Sequence, residues 1–375
     1  MKPDDFEQIK VLGKGGYGTV LLVRQKTTGR LFAQKQLKKA SLVVQAKIIG
    51  TSIPLLTFTM ANYCVEYTKS ERTILEEIKN PFVVKLFYAF QDSSKLYLIL
   101  EYAAGGELFH HLDTEKMFSE DVAAFYLAEV LIALTALHSQ GVIYRDLKPE
   151  NCLLDAEGHL LLTDFGLSKV TPLPSPSNDE TATEEEETDS RASSMCGTCE
   201  YMAPEMIQGR PYGYEVDYWA MGVLLHELLT GSPPFTGPNN RLICDRIIKS
   251  KLKLPYYISP DAKDLLTKLL KKVPTARLGC KKGDVAKIRA HRFFRKVDWA
   301  RLERREVEAP IRPIITDAEK AENFPRFNML ALPGSVGDTS FLANGDVFAE
   351  NVFTGFTYTA SESFIDRFME MRTGD

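Results

Sequence analysis

The chain has 375 residues, a formal charge of −4 at pH 7 and a pI near 6.0. Its length allows two lobes or domains, and its charge gives no reason to expect a nucleic-acid partner. Met1 leads into polar residues rather than an apolar leader, and no apolar run reaches the roughly 18 residues of a spanning helix, so we expect neither secretion nor a membrane span. We therefore expect a cytoplasmic protein, with the nucleus as a second compartment.

A glycine turn lies near the N-terminus, between segments that read as β-strands. Glycines at its first, third and sixth places let backbone N–H groups approach phosphate oxygens. Alone the pattern is weak, and in dinucleotide-binding folds it opens a helix. Here Thr19 and Val20 continue it as a strand, so a hairpin over a nucleotide fits better. The turn reads Gly13-Lys14-Gly15-Gly16-Tyr17-Gly18.

The next predicted strand begins with apolar residues and ends at Lys35, and a helix is predicted over residues 67–79. Glu71 shares one face of that helix with Ile74 and Leu75. An acid on the inward face of a helix needs a cation, so we predict that Glu71 pairs with Lys35 and orients it toward the α- and β-phosphates of a nucleotide. A solvated surface lysine is the alternative.

Residues 48–64 break this pattern, because they carry no charge, show no clear period and contain Pro54. Three interpretations stay open: an insertion docked on the lobe, a disordered loop, or sequence foreign to the working protein, such as translated intron. We slightly favour the last. Two further strands then lead to a hinge at 101–104, and Ser119 caps a long predicted helix.

The residues between 144 and 166 predict the chemistry. Asp146 can accept the proton of an attacking hydroxyl, and Lys148 can meet the moving phosphoryl oxygens. Asn151 and Asp164 can hold hard cations through oxygen. The alternative is two short loops whose polar residues cap turns, but both sets at this spacing arise rarely by chance. The sequence therefore predicts a phosphoryl-transfer site.

Residues 170–193 are rich in proline and serine and then acidic, which predicts a mobile, solvated segment and a place for a switch. Beside it, Cys196 and Cys199 spell C-x-x-C. No second cysteine pair or histidine cluster accompanies them, so we expect no metal or redox role. Helices follow, with Arg277 a candidate partner for Glu205.

An aromatic stretch, 352–358, lies near the end of the chain. It suits a buried strand or a docking segment, and since no partner strand remains evident we favour docking.

These motifs resemble those of the protein kinase family, and the variants within them resemble the AGC group of serine/threonine kinases, most closely the ribosomal protein S6 kinases, with Akt-like and SGK-like kinases as neighbours. The resemblance rests on the following residues in order: the Gly13–Gly18 turn with Val20, Lys35, Glu71, Tyr144-Arg-Asp-Leu-Lys-Pro-Glu-Asn151, Asp164-Phe-Gly166, Ala203-Pro-Glu205, Asp217, Trp219 and Arg277.

The resemblance implies an α+β bilobal fold. After a lead of residues 1–5, a catalytic domain would span 6–294, with a β-rich N-lobe (6–101) and a helical C-lobe (105–294). An AGC-type tail (295–375) would carry a hydrophobic motif at 353–358. ATP would lie between the lobes with Mg²⁺. The implied nucleotide contacts are Leu12, Gly13, Lys14, Gly15, Gly16, Tyr17, Gly18, Val20, Ala33, Lys35, Glu71, Glu101, Tyr102, Ala103, Glu107, Glu150, Asn151, Leu153, Thr163 and Asp164.

The resemblance also implies roles for individual residues. Asp146 would be the catalytic base, Lys148 the γ-phosphate contact, and Asn151 and Asp164 the Mg²⁺ ligands, with Thr198 supporting the first two. The structural set would be Glu205, Asp217 and Arg277.

Substrate choice and control follow from the same resemblance. Glu107 and Glu150 would bind arginines before the acceptor Ser or Thr of a protein substrate. Ser194, pairing with Arg145, and Thr357 would be activating phosphosites, served by upstream kinases of the phosphoinositide-dependent and TOR type. We expect a monomer.

Some features depart from the family pattern. The insertion at 48–64 precedes the Glu71 helix, the segment 323–327 lacks an expected Asp, and a further tail phosphosite is divided between Ser335 and Thr339. A catalytically impaired, kinase-like scaffold is therefore the alternative function. A dinucleotide-dependent enzyme would need strands alternating with helices, whereas consecutive strands are predicted here.

Overall fold

The computed structural model describes residues 1–14, 18–39, 68–171, 197–281, 283–325 and 353–365. The chain divides into two compact units. Unit 1 takes in the described residues of Met1–Glu77, Val84–Ala104 and Ile314–Asp375, and unit 2 takes in those of Ile78–Val83 and Gly105–Pro313.

Unit 1 is built on a six-stranded antiparallel sheet in the order β1-β2-β3-β5-β4-β11. One helix, α1, covers residues 68–77 and turns Glu71, Ile74 and Leu75 inward, where all three are buried. The strands are β1 (Phe6–Lys14), β2 (Gly18–Gln25), β3 (Leu31–Lys38), β4 (Leu86–Gln91), β5 (Lys95–Leu100) and β11 (Tyr358–Thr359).

The last strand corrects one expectation. We expected no partner strand for the aromatic stretch near the C-terminus, but β11 pairs with the outer edge of β4, Tyr358 opposite Ala89. Two residues are too few to show an alternation, so the sequence carried no strand signal there. Ala360 and Ile365 then enter the same hydrophobic cluster as the strand residues, and residues 362–365 form a turn of helix, α10.

Unit 2 is mainly helical. It also contains two small sheets, in the strand orders β6-β8-β9 and β10-β7, and loops extend from their strands. The strands are β6 (Gly106–Glu107), β7 (Val142–Ile143), β8 (Cys152–Leu154), β9 (Leu160–Leu162) and β10 (Lys169–Val170). The helices are α2 (Leu108–Glu115), α3 (Glu120–Ser139), α4 (Pro204–Ile207), α5 (Glu215–Thr230), α6 (Asn240–Lys249), α7 (Pro260–Leu269), α8 (Asp284–Arg289) and α9 (Trp299–Glu303).

Helices α3 and α5 form the centre of unit 2. The predicted cap is present at α3, where Ser119 Oγ accepts the N–H of Val122. Helix α5 is apolar nearly all round, which is the pattern of a fully buried helix, and Gly231 ends it with φ +76°. Of the described helices, α3 alone is long and apolar enough to cross a membrane, and 67% of its apolar window is buried inside the protein, as in a core helix. One β-rich unit and one mainly helical unit confirm the α+β fold class.

Candidate active site

One buried carboxylate binds the backbone of the loop that follows β7. Asp217, at the start of α5, accepts the backbone N–H groups of Tyr144 at 2.9 Å and Arg145 at 2.8 Å. The same side chain lies 2.8 Å from His138 Nε2 on α3. Arg145 has φ +69°, a left-handed conformation that costs free energy for a residue with a side chain. The two hydrogen bonds from Asp217 help to offset this cost and hold the loop in place.

Within this loop Asp146 is the centre of a hydrogen-bonded cluster. Lys148 Nζ lies 2.9 Å from Asp146 Oδ2 and donates to Thr198 Oγ1 at 3.0 Å. Asn151 Nδ2 donates to Asp146 Oδ2 and to its backbone oxygen, both at 2.8 Å. Burial raises the pKa of Asp146, while Lys148 and Asn151 oppose that rise. The cluster thus fixes an acid, a cation and an amide relative to one another.

The hairpin β8–β9 brings Asn151 beside the second acidic turn. Cys152 lies opposite Leu162 in the strand register, and Thr163 N donates to Asn151 O at 3.1 Å. The next residue, Asp164, is exposed and has φ +57°. Because the amide nitrogen of Asn151 is engaged by Asp146, its amide oxygen is the atom left to face a cation.

These donors fit Mg²⁺. Carboxylate and amide oxygens are its preferred protein ligands, and it usually takes only one or two carboxylates from a protein, with phosphates and waters completing the octahedron. Among the described residues no group of three or more His, Cys, Asp or Glu side chains could hold a metal by itself. A magnesium ion here would therefore depend on Asn151, Asp164 and the oxygens of a bound nucleotide.

In unit 1 the predicted ion pair is present. Lys35 Nζ lies 2.7 Å from Glu71 Oε1, and both side chains are largely shielded from solvent. Lys35 stands on β3, inside the sheet, opposite Val20 on β2 and Leu98 on β5. A central strand and a helix packed by its apolar face therefore fix the two ends of the pair.

The glycine turn is described only at its ends, since residues 15–17 lie outside the described part of the chain. A Cβ added to Gly13 would meet no atom within 4 Å, so the backbone there is open to a ligand. A Cβ on Gly18 would lie 1.9 Å from the carbonyl oxygen of Gln36. The close passage of β3 therefore excludes a side chain at Gly18, and the assignment of this residue to phosphate approach stays a prediction.

The remaining nucleotide contacts predicted in unit 1 lie on strands and on the segment after β5. Leu12 and Ala33 are buried. Glu101 Oε2 accepts the N–H of Lys85 at 3.3 Å. Beyond it the tail docks on 102–104: Asn323 Nδ2 donates to Ala104 O at 3.0 Å, and Phe324 stacks on Tyr102 with centroids 6.0 Å apart. Ala103 lies buried between these contacts.

Unit 2 contains a group of neighbouring glutamates, which includes the two predicted substrate-binding residues. Glu107, which faces Leu153 across the β6–β8 pair, has its pKa raised by burial and by Glu150. Sequence reasoning missed a third member, Glu227 on α5, whose pKa is raised to about 7 by burial and then by Glu150 and Glu200. The hydroxyl of Tyr201 donates to it. The available signal was an acid inside an otherwise apolar, buried helix.

Arg277 and Glu205 form the other predicted pair. The guanidinium meets both carboxylate oxygens, at 2.6 and 2.9 Å, and the side chains are 0% and 3% exposed. Arg277 also donates to the backbone oxygens of Lys271 and Glu215 and lies over the ring of Trp219 at 5.2 Å. The segment that begins at Gly197 is thereby anchored to the helical core at its end.

The predicted control residues are only partly described. Ser194, Ser335, Thr339 and the insertion at 48–64 lie outside the described residues. Arg145, the expected partner of Ser194, donates to Leu167 O at 2.6 Å and to the Tyr212 hydroxyl at 3.1 Å. Thr357 is exposed, and it follows Phe356, which is buried in unit 1 together with Phe353.

The chain was compared with known proteins. The model of the family described as "Protein kinase domain" matches residues 6–294. Ribosomal protein S6 kinase beta of Caenorhabditis elegans is 46% identical over 362 residues, which are 96% of this chain and 60% of that protein. Ribosomal protein S6 kinase alpha-2 of Mus musculus is 42% identical over 363 residues, covering 96% of this chain and 44% of that protein. Serine/threonine-protein kinase YPK3 of Saccharomyces cerevisiae is 39% identical over 403 aligned positions, covering 97% and 76%.

The chain therefore belongs to the protein kinase family. Within that family its relatives place it with the serine/threonine kinases of the AGC type, which confirms the resemblance drawn from the motifs. The chain spans less than two thirds of the length of the worm and mouse relatives.

Proposed function

We propose that this protein transfers the γ-phosphoryl group of ATP to Ser and Thr hydroxyls of other proteins. The observation that carries the proposal is the hydrogen-bonded cluster of Asp146, Lys148, Asn151 and Thr198. Phosphoryl transfer needs positioned charges more than covalent chemistry. This cluster offers an anionic proton acceptor and a cation held about 3 Å apart, with both conformations fixed by neighbours.

Each residue then has a separate task. Asp146 accepts the proton of the attacking hydroxyl, and Lys148 meets the charge on the transferred group. Lys35, oriented by Glu71, contacts the α- and β-phosphates. Asn151 and Asp164 would hold Mg²⁺, which would neutralise part of the phosphate charge when bound.

The acidic side chains of unit 2 support a preference for arginine near the acceptor residue. The charge of Glu150 contributes to the raised pKa of Glu107, and the charges of Glu150 and Glu200 contribute to the raised pKa of Glu227, so these four carboxylates lie close together. Such mutual repulsion is relieved when a guanidinium binds, because it can pair with two carboxylate oxygens at once. Substrates with arginine ahead of Ser or Thr are therefore the expected class.

Control by phosphorylation is part of the proposal. Thr357 is accessible, while its neighbour Tyr358 lies in β11 with its ring 5.4 Å from the guanidinium of Arg72. The Nε of Arg72 has no hydrogen-bond partner within the described residues. A phosphate on Thr357 would place a dianion next to the strand residue that packs on Arg72, one residue from Glu71. We also propose Ser194 as the activation-segment site, with the upstream kinases and the cytoplasmic location stated above.

The decisive assay measures phosphate transfer from Mg²⁺–ATP to an arginine-rich Ser peptide. It compares the chain with and without residues 48–64, each phosphorylated at Ser194 and Thr357. We expect Asp146→Asn to abolish turnover while ATP binding stays near that of the unsubstituted chain, because the substitution removes a catalytic group rather than a nucleotide contact. Peptide phosphorylation by neither form would refute the proposal and leave the kinase-like scaffold. Activity only in the shortened form would show that residues 48–64 impair the enzyme.

A further inference from the structure

Two cysteines of unit 2 meet next to Thr198, and neither belongs to the catalytic cluster. Cys199 Sγ lies 2.8 Å from Cys244 Sγ. Cys199 begins the short helix Cys199–Tyr201, and Cys244 lies in the middle of α6, 45 residues further along the chain. Cys199 Sγ also lies 3.5 Å from the backbone oxygen of Asn240 in the first turn of α6. The contact joins the segment before Ala203-Pro-Glu205 to a separate helix.

The position of the pair differs from what the C-x-x-C pattern suggested. We expected neither redox nor metal chemistry there, because no second cysteine pair is visible in the sequence. The fold supplies a second thiol from a distant helix instead. Because a disulfide has an S–S distance near 2.05 Å, the two sulfurs need to close by less than about 1 Å to bond.

We infer that Cys199 and Cys244 form a reversible oxidation site that closes to an intramolecular disulfide in the presence of a hydroperoxide. The inference rests on the geometry of the pair and holds whether or not the chain is an active kinase. Disulfides in reducing compartments are usually transient and redox-sensing, which suits a site on a segment beside Thr198.

The two thiols are not equivalent. Cys244 is half-buried and Cys199 is buried. Burial and the neighbouring thiol raise the pKa of Cys199 to about 12, so it stays protonated at neutral pH, and Cys244, the more exposed of the two, meets the oxidant first. An S–O bond forms at Cys244 as the O–O bond of the hydroperoxide breaks, which leaves a sulfenic acid and an alcohol or water.

The second step closes the ring. Cys199 Sγ attacks Cys244 Sγ, the S–S bond forms, the S–O bond breaks, and water leaves with the proton of Cys199. In total two thiols lose two electrons and two protons to one hydroperoxide. A small dithiol or glutathione reverses the reaction by thiol–disulfide exchange.

The test uses the full reduced chain, treated with hydrogen peroxide, blocked with iodoacetamide and digested without reductant. We expect a peptide in which Cys199 and Cys244 are joined, a loss of two hydrogens from the intact mass, and a rise in Tm of about 5 °C or more, because the bond closes a long loop of the unfolded chain. Dithiothreitol should remove all three changes. Cys244→Ser should abolish the linked peptide, whereas the control Cys280→Ser should keep it.

The peptide map of the unsubstituted chain decides the question even if a variant fails to fold. A bond between Cys199 and Cys196, or Cys199 still fully alkylated when Cys244 has become a sulfenic acid, would overturn the inference. Absence of the linked peptide from the peroxide-treated, folded chain would count against it as well. An inactive chain that nevertheless forms the bond would refute the proposed function alone.

Discussion

Replacing Arg277 by Met should destabilise the protein through the charge that it leaves behind. Glu205 is 3% exposed and would keep an uncompensated carboxylate, which costs about 3–5 kcal/mol. The backbone oxygens of Lys271 and Glu215 lose their donors, which adds about 1 kcal/mol each. We therefore expect a loss of about 5–7 kcal/mol, comparable with the whole stability of many domains.

Urea denaturation followed by fluorescence measures the effect, and a second variant isolates its cause. Arg277→Met with Glu205→Met removes both charges and should regain about 3 kcal/mol relative to the single variant. Arg292→Ala is the matched control, because that side chain is 82% exposed and its nearest carboxylate is 3.6 Å away, so a change within about 0.5 kcal/mol is expected. A double variant no more stable than Arg277→Met would refute the argument from buried charge.

Three further outcomes concern the proposed activity. Glu71→Gln should raise the KM for ATP about tenfold, because Lys35 loses its charged partner, and Glu77→Gln, an exposed acid of the same helix, should leave it unchanged in the same kinetic assay. An exposed Asp has a pKa near 3.9, whereas the pKa of Asp146 is raised. We therefore expect kcat/KM to fall with decreasing pH around a midpoint above about 3.9, as Asp146 becomes protonated. A midpoint at or below about 3.9 in the pH profile would contradict this. Glu227→Gln should raise the KM for an arginine-rich peptide at pH 8 but not at pH 6, because the pKa near 7 already leaves Glu227 neutral at the lower pH; equal effects at both would count against it.

The catalytic cluster was predictable because its members are neighbours in the chain. Asp146 and Asn151 are five residues apart, and a loop of that length has few ways to place them. What holds the loop was not visible in the same way. The Asp217 carboxylate meets the Arg145 amide from 72 residues away, and Glu227 becomes part of the acidic group only when α5 is buried. Such pairings depend on how helices pack, which a local pattern does not encode.

Contacts between distant parts of the chain also explain the features of Gly18 and of the C-terminal strand that the sequence did not predict. A glycine pattern predicts an open backbone, but it does not tell whether a ligand or a neighbouring strand needs the space. At Gly18 the neighbour is Gln36. The pairing of Tyr358 with β4 likewise depends on an edge left unpaired by the rest of the sheet. Edge strands attract such additions because their N–H and C=O groups are otherwise unsatisfied.

The alternative of an impaired scaffold depends on residues 48–64 disturbing the pair between Lys35 and Glu71. Described contacts on both sides of that stretch fix the pair. Lys35 lies on β3, which pairs with β2 and β5, and Ile74 of α1 is buried inside unit 1. Arg72, next to Glu71, lies against the Tyr358 ring of β11. The sheet, the helix and the tail therefore each contribute to the position of these two side chains, and the comparison of the chain with and without residues 48–64 tests the alternative.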